Sequence, residues 1–281
     1  MDYCFDTSAL NRLHDDPDRE AIILGLLATN NVFITALNIR ETVATTKATR
    51  RISLMQLQRR LTREFRPLRT PIEVLREVTM ARLSGRDSVT LTIEGNSQGL
   101  WWALEQPEAL TIEMQQESYE WKSSIEKQFT EAHRRARLEF QEVFVGPEKP
   151  ESLGHLIRLF HRNPELILPT VSAVYETIAG APLDKPSMLE VFSELPEWPL
   201  FMAIWAQGMY ARALQEQGYG PGRNAGTVDL WFGVYLAHCD FFVTDDRAQY
   251  KALRVINRIG QRRRSRAKIL LYDQLRGRLV I

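Results

Sequence analysis

The chain has 281 residues, 44% hydrophobic and 25% charged, with a formal net charge of +1; this length and balance give a globular chain with a large core and exclude a disordered or fibrous one. Cys4 and Cys239 are its two cysteines, too few for a disulfide framework or a cysteine-built zinc site. The longest apolar runs, Ala21–Ala28 and Pro199–Ala206, fall far short of the ~20 residues of a spanning helix, and the opening MDYCFD lacks a basic leader, so neither membrane insertion nor a signal peptide is expected and a cytoplasmic location is.

In chain order, Tyr3–Phe5 is a short apolar run that reads as a buried strand. It ends on Asp6-Thr7-Ser8-Ala9-Leu10, a helix start with Thr7 or Ser8 available as a cap. Alone, Asp6 is a capping acid at a helix N-terminus. After the turn at Asp15–Asp18, Glu20–Ala28 repeats as an amphipathic helix, and Val32–Thr35 is a second buried strand. Ala36–Thr46 reads as a helix holding Glu41, which alone is ordinary exposed helix surface.

From Lys47 to about Glu216 the periods are helical, broken at clusters of proline and glycine. The longest unbroken piece, Pro107–Val145, would extend roughly 55 Å as one helix. Val89–Ile93 is the one β-like run in this part. Residues 47–221 therefore read as a helical insertion or subdomain between two parts of an α/β core, residues 1–46 and 222–281.

After the glycine-rich GYGPG at Gly218–Gly222, Val228–His238 predicts an apolar helix carrying one acid, Asp229. Cys239–Asp240 makes a turn, and Phe241–Thr244 reads as a buried strand ending on Asp245 and Asp246. The helix climbs roughly 16 Å and the strand returns about as far, which brings those acids back to the level of Asp229. Arg247–Arg258 follows as a basic helix and Gln261–Arg266 as a basic loop; Lys268–Tyr272 and Leu279–Ile281 read as closing strands. Strands that cluster at the two ends and alternate with helices predict a parallel sheet flanked by helices. In such sheets ligands bind beyond the carboxyl ends of the strands, where Asp6, Glu41 and Asp245/Asp246 all fall.

Charge is unevenly spread. From Arg247 to Ile281 there are eleven Lys/Arg against one acid, Asp273, and a second run holds Arg50, Arg51, Arg59, Arg60, Arg63, Arg66 and Arg69 against Glu64. Between them, Glu105 to Glu126 carries six glutamates and one lysine. Two basic segments on a near-neutral chain suggest a polyanionic partner; the competing reading is solvated helix faces.

The acids Asp6, Glu41, Asp229 and Asp246, with Asp245 competing for the last place, would repel one another and raise their own pKa values if they converged without a buried cation. Carboxylate oxygens suit Mg²⁺ or Mn²⁺, and such an ion activates water against a phosphodiester. The five histidines have no ligand spacing, GYGPG lacks the strand and lysine of a phosphate loop, and Ser8 has no histidine partner for nucleophilic catalysis.

The order of these motifs resembles the PIN domain: DTSAL after a first strand, a Glu in the helix after the second, an Asp opening the apolar helix TVDLWFGVYLAHCD, then FFVTDDR. The resemblance covers residues 1–46 and 222–281, and the stretch of about 170 residues between Glu41 and Asp229 departs from it. It implies an Mg²⁺- or Mn²⁺-dependent endoribonuclease, a class that includes the toxins of toxin–antitoxin pairs. By resemblance Asp6, Glu41, Asp229 and Asp246 are the catalytic and metal-holding acids, with Asp245 one place off the match. Thr244 would help position the site, and Arg247, Arg262, Arg263, Arg264 and Arg266 would meet the RNA backbone. The alternative is a catalytically silent module that binds nucleic acid or protein. In either case the helical segment could dock a regulatory partner or a second copy of the chain.

Overall fold

The computed structural model describes residues 1–94, 98–143, 150–163, 165, 168–179, 184–211, 224–260 and 267–280. Its centre is a four-stranded sheet made of β1 (Asp2–Phe5), β2 (Asn31–Phe33), β3 (Phe241–Thr244) and β4 (Lys268–Leu271). All pairings are parallel and the order is β2-β1-β3-β4. The chain is thus α/β, as the alternation of strands and helices predicted.

Helices α1 (Thr7–Asp15) and α2 (Arg19–Thr29) connect β1 to β2, and α3 (Ala36–Val43) follows β2. Then come α4 (Ala48–Thr62), α5 (Pro71–Leu83), α6 (Gln98–Glu105), a 3₁₀ turn at Pro107–Ala109, and α7 (Ile112–Val143). Helices α8 (Leu153–Arg162), α9 (Leu168–Ala179), α10 (Lys185–Glu194) and α11 (Glu197–Met209) lead back to the sheet. The last part holds α12 (Thr227–Trp231), a 3₁₀ segment at Phe232–Ala237, α13 (Arg247–Gly260) and α14 (Tyr272–Leu279).

Successive side chains of a strand leave on opposite faces, and two cores follow from that. Tyr3, Phe5, Val243 and Leu270 join α1, α2 and α14 on one face. Cys4, Phe242 and Ile269 join α11, α13 and the Phe232–Ala237 segment on the other. Residues from the long helical stretch share this second core: Val74, Val78, Trp198 and Ile204 belong to the same cluster as Cys4 and Phe242. Trp198 is fully buried and its indole N–H donates to Thr79 Oγ1 at 2.8 Å. We expect Trp198→Ala to lose about 3–5 kcal/mol in a denaturant titration followed through the sheet core. A loss under 1 kcal/mol would show that helices 47–221 fold apart from the sheet.

Several boundaries differ from expectation. The second strand stops at Phe33 because Thr35 turns to cap α3: its Oγ1 accepts from the Asn38 N–H, and Asn38 Oδ1 accepts from the Thr35 N–H. The expected closing strand Leu279–Ile281 is instead the end of α14 as far as Leu279, with Tyr272 and Leu275 buried at helical spacing; Ile281 lies outside the described residues. The single helix expected over Val228–His238 is α12 plus the tighter 3₁₀ segment. Phe232, Val234, Tyr235 and Leu236 are all buried there, and at Gly233 a Cβ would stand 2.9 Å from Ile204 Cδ1 and 3.3 Å from Ile256 Cγ2. A thinner, side-chain-free backbone fits between α11 and α13.

Val89–Ile93 forms no strand, only one bridge residue, Thr92 against Leu68. Gly218–Gly222, the end of the expected helix at 144–145, and the loop holding Arg262, Arg263, Arg264 and Arg266 lie outside the described residues. Among the described residues no helix is long and apolar enough to cross a membrane.

Candidate functional site

In the order β2-β1-β3-β4 the chain leaves β1 toward one side and β3 toward the other, so the two central strands form the switch point of the sheet, the place past whose carboxyl ends such sheets bind ligands. Asp6 follows β1, and Thr244, Asp245 and Asp246 close β3 at the same edge.

Asp6 is 4% exposed and caps α1: Ala9 N–H donates to its Oδ1 at 2.7 Å. The Ser8 hydroxyl lies 2.7 Å from Oδ2 and the Thr244 hydroxyl 2.9 Å from the same atom. Those donors favour the ionised carboxylate, but burial outweighs them, and with the Asp229 charge it pushes the Asp6 pKa up to about 7. Ser8 also ties the two strand ends together, because its oxygen accepts from the backbone N–H groups of Asp245 and Asp246. Thr244 Oγ1 stands 2.6 Å from Gln249 Oε1. Gln249 in turn donates from Nε2 to the Asp229 carbonyl at 2.8 Å.

Asp229 closes the first turn of α12, where its Oδ2 accepts from the Gly226 N–H at 2.9 Å. Burial, then the charges of Glu41 and Asp246, push its pKa up to about 6 against the pull of that N–H and of Lys122. Asp246 Oδ1 accepts from the N–H groups of Ala248 and Gln249 at the start of α13. Asp245 is exposed and lies off this network except through its N–H. The three aspartates expected to act together are therefore each helix caps as well, a double use that explains why each alone looked ordinary in the sequence.

Glu41 on α3 is held by a residue the sequence did not single out. Lys122 Nζ lies 2.5 Å from Glu41 Oε1, with the glutamate side chain 9% exposed and the lysine side chain 43%. Burial alone would depress the Lys122 ammonium, but Glu41, Asp229 and Glu126 outweigh it and hold its pKa above the ordinary value. Besides any divalent ion, α7 thus brings a cation of the chain's own to these acids.

Four residues on, one turn along the same helix face, Glu126 Oε1 accepts from the N–H groups of Thr227 and Val228 at 2.7 and 3.3 Å. That carboxylate caps the helix carrying Asp229, and Gly226 lets it approach: a Cβ there would sit 3.2 Å from Glu126 Oε1. The one lysine among six glutamates between Glu105 and Glu126 was the available signal. Ser8, Gln249 and Glu126 gave none beyond their residue type.

In chemistry the donors fit a hard divalent ion, since every one is a carboxylate or hydroxyl oxygen. In arrangement the site is not a closed cage: among the described residues no three His, Cys, Asp or Glu side chains stand grouped as a metal site. Lys122 engages Glu41 Oε1, and backbone N–H groups engage Asp6 Oδ1, Asp229 Oδ2 and Asp246 Oδ1.

The basic segments also separate. In the first, Arg50 pairs with Asp15, Arg60 with Glu20, Arg59 with Glu105 and Arg69 with Glu77, while Arg51 is buried and donates to the Thr45 carbonyl. Most of that run is engaged within the fold, which favours the solvated-face reading there. In the second, Arg247 is exposed at the start of α13, beside the acids. No family model, curated protein or solved structure matches the chain.

Proposed function

We propose that the chain is a PIN-type, Mg²⁺- or Mn²⁺-dependent ribonuclease that hydrolyses RNA phosphodiesters at the Asp6, Glu41, Asp229 and Asp246 cluster. The observation that supports this most is a group of carboxylates within reach of one another's charge: Asp229 acts on the buried Asp6, and Glu41 and Asp246 act on Asp229, so that ionisation of both aspartates is opposed. When bound, a divalent ion would neutralise these acids, activate a water and stabilise charge on the phosphate.

The chain's own groups then divide the work. Asp6 and Asp229 would hold the ion, with Glu41 and Asp246 completing the set and Asp245 outside it. Ser8 orients Asp6 by a hydrogen bond to its Oδ2, the one Thr244 hydroxyl proton serves either that oxygen or Gln249 Oε1, and Gln249 Nε2 donates to the Asp229 carbonyl. Glu126 fixes the start of α12 and so the position of Asp229. Arg247, exposed beside Asp246, would meet substrate phosphate.

A second reading has a specific observation behind it. Lys122 already neutralises Glu41, which favours a silent nucleic-acid-binding module that keeps the fold and needs no ion. The test is cleavage of a labelled mixed-sequence RNA with Mn²⁺ or Mg²⁺, beside EDTA and Asp229→Asn. The nuclease reading expects metal-dependent cleavage, reduced at least roughly 10²-fold in the variant, since an ion contributes several kcal/mol to such a step. RNA binding without cleavage under either metal would select the silent module.

A further inference from the structure

A cavity of about 500 Å³ runs along the free edge of β4, between α13 and α14, and it is separate from the acid cluster. Four cations line it: Arg254 and Arg258 from α13, Lys268 from the start of β4, and Arg278 from α14. All four are exposed, no acid lines the cavity, and among the described residues none of the four makes an ion pair. The arginines of α4 contrast sharply, since their neighbours Asp15, Glu20 and Glu105 neutralise them.

Three of the four cations are nevertheless held against rings. Arg254 lies over the Tyr250 ring at 5.4 Å, and Lys268 and Arg278 both lie over Phe241, at 5.9 and 5.5 Å. Phe241 is itself stacked on Tyr3 at 4.8 Å. Arg254 gives one donor, Nη1, to the Tyr250 hydroxyl at 3.4 Å; otherwise a ring fixes a cation without using up its hydrogen-bond donors. Convergent, pre-positioned and unneutralised cations at one edge are the chemistry of an anion site.

The position gives the anion's identity. Helix α13 contains no acid; Arg247, Arg254 and Arg258 recur at spacings of seven and four, which places them on one helix face. The stripe starts at Asp246 in the acid cluster and descends roughly 16 Å to the cavity. A ligand with one phosphate would need only one end of it. We propose that this edge is the track for the ribose-phosphate backbone of a single RNA strand, leading from the carboxylates along α13 into the Arg254–Arg258–Lys268–Arg278 cavity. The proposal rests on the nucleic-acid reading above but not on catalysis.

The test measures binding of a labelled single-stranded RNA of about 12 nucleotides in EDTA over a range of salt, by fluorescence anisotropy. The double variant Arg254→Glu/Lys268→Glu should bind at least about tenfold more weakly, and the slope of log K against log salt should shrink by roughly 1.4, two phosphate contacts' worth for a single strand. The control Arg86→Glu/Arg158→Glu changes net charge equally at exposed positions away from the cavity and should leave the slope unchanged.

Equal losses in both double variants, an unchanged slope in the first, or no measurable RNA binding by the wild type would overturn the proposal. Inorganic phosphate at matched ionic strength is the remaining arm: displacement of RNA by phosphate well beyond that by chloride would make the cavity a site for a free phosphate group and overturn the strand. Binding that behaves as expected in a protein that never cleaves would sink the nuclease reading and leave this one standing. Cleavage with wild-type metal dependence but indifferent to the cavity charges would do the reverse.

Discussion

Asp6→Asn is expected to melt at a higher temperature than the wild type in EDTA above pH 7, and at a lower one when Mn²⁺ is in excess. The sign follows from proton binding. The Asp6 carboxyl moves from an ordinary 3.8 in the unfolded chain to about 7 in the folded one, chiefly through burial. Between those values the folded protein holds a proton that the unfolded chain has released, so stability falls as pH rises through that window and stays low above it. Asp229, raised from 3.8 to about 6, acts in the same direction.

At its upper bound the Asp6 displacement corresponds to roughly 4 kcal/mol. An asparagine keeps the cap, since its side-chain oxygen accepts from the Ala9 N–H as the carboxylate does, and it carries no charge to desolvate. A gain of about 1–2 kcal/mol, or roughly 2–8 °C for a chain of this size, is expected from calorimetry above pH 7, vanishing near pH 4. Excess Mn²⁺ stabilises only a protein that binds it, which inverts the order. A lower melting temperature for Asp6→Asn in EDTA at every pH would mean that the carboxylate is a cap and nothing more.

How much of this was readable from residues alone depends on distance along the chain. The strands were legible because Tyr3–Phe5, Phe241–Thr244 and Lys268–Leu271 are short apolar runs bounded by polar turns, and each alternates between two buried faces. The edge on which the acids meet followed from the parallel order those strands imply. Thr35 stops a strand by capping α3, and Gly233 lets a segment thin to 3₁₀ against Ile204; both depend on partners that pattern reading cannot see.

Lys122 is the sharper case. It stands 81 positions from Glu41, and nothing local distinguishes a lysine that folds back onto a carboxylate from one on a solvated face. The two readings of the α4 arginines could not be separated for the same reason: Asp15, Glu20 and Glu105, which pair with them, are far away in sequence. Unpaired charge, and not charge itself, marks a binding surface, and pairing is a tertiary property.

Lys122→Met decides between the two readings of the acid cluster. In EDTA the variant leaves Glu41, a nearly buried carboxylate, without its cation. Breaking a fully buried pair costs about 3–5 kcal/mol; the half-exposed Lys122 end is screened by water, so about 1–3 kcal/mol is expected here. The same change removes a positive charge from the place an ion must approach. If the cluster is a metal site with Lys122 as its resident cation, Mn²⁺ affinity measured by calorimetric titration rises about tenfold, or ~1.4 kcal/mol, and saturating Mn²⁺ restores the lost stability. Glu41→Gln, which frees Lys122 while removing a ligand, should bind Mn²⁺ more weakly than the wild type. In a silent module the lysine is a permanent substitute for the ion. Lys122→Met then loses stability that no metal restores, and neither variant changes Mn²⁺ binding. The carboxylates would in that case be caps held together by α7, with Lys122 the cation that offsets the charge of Glu41.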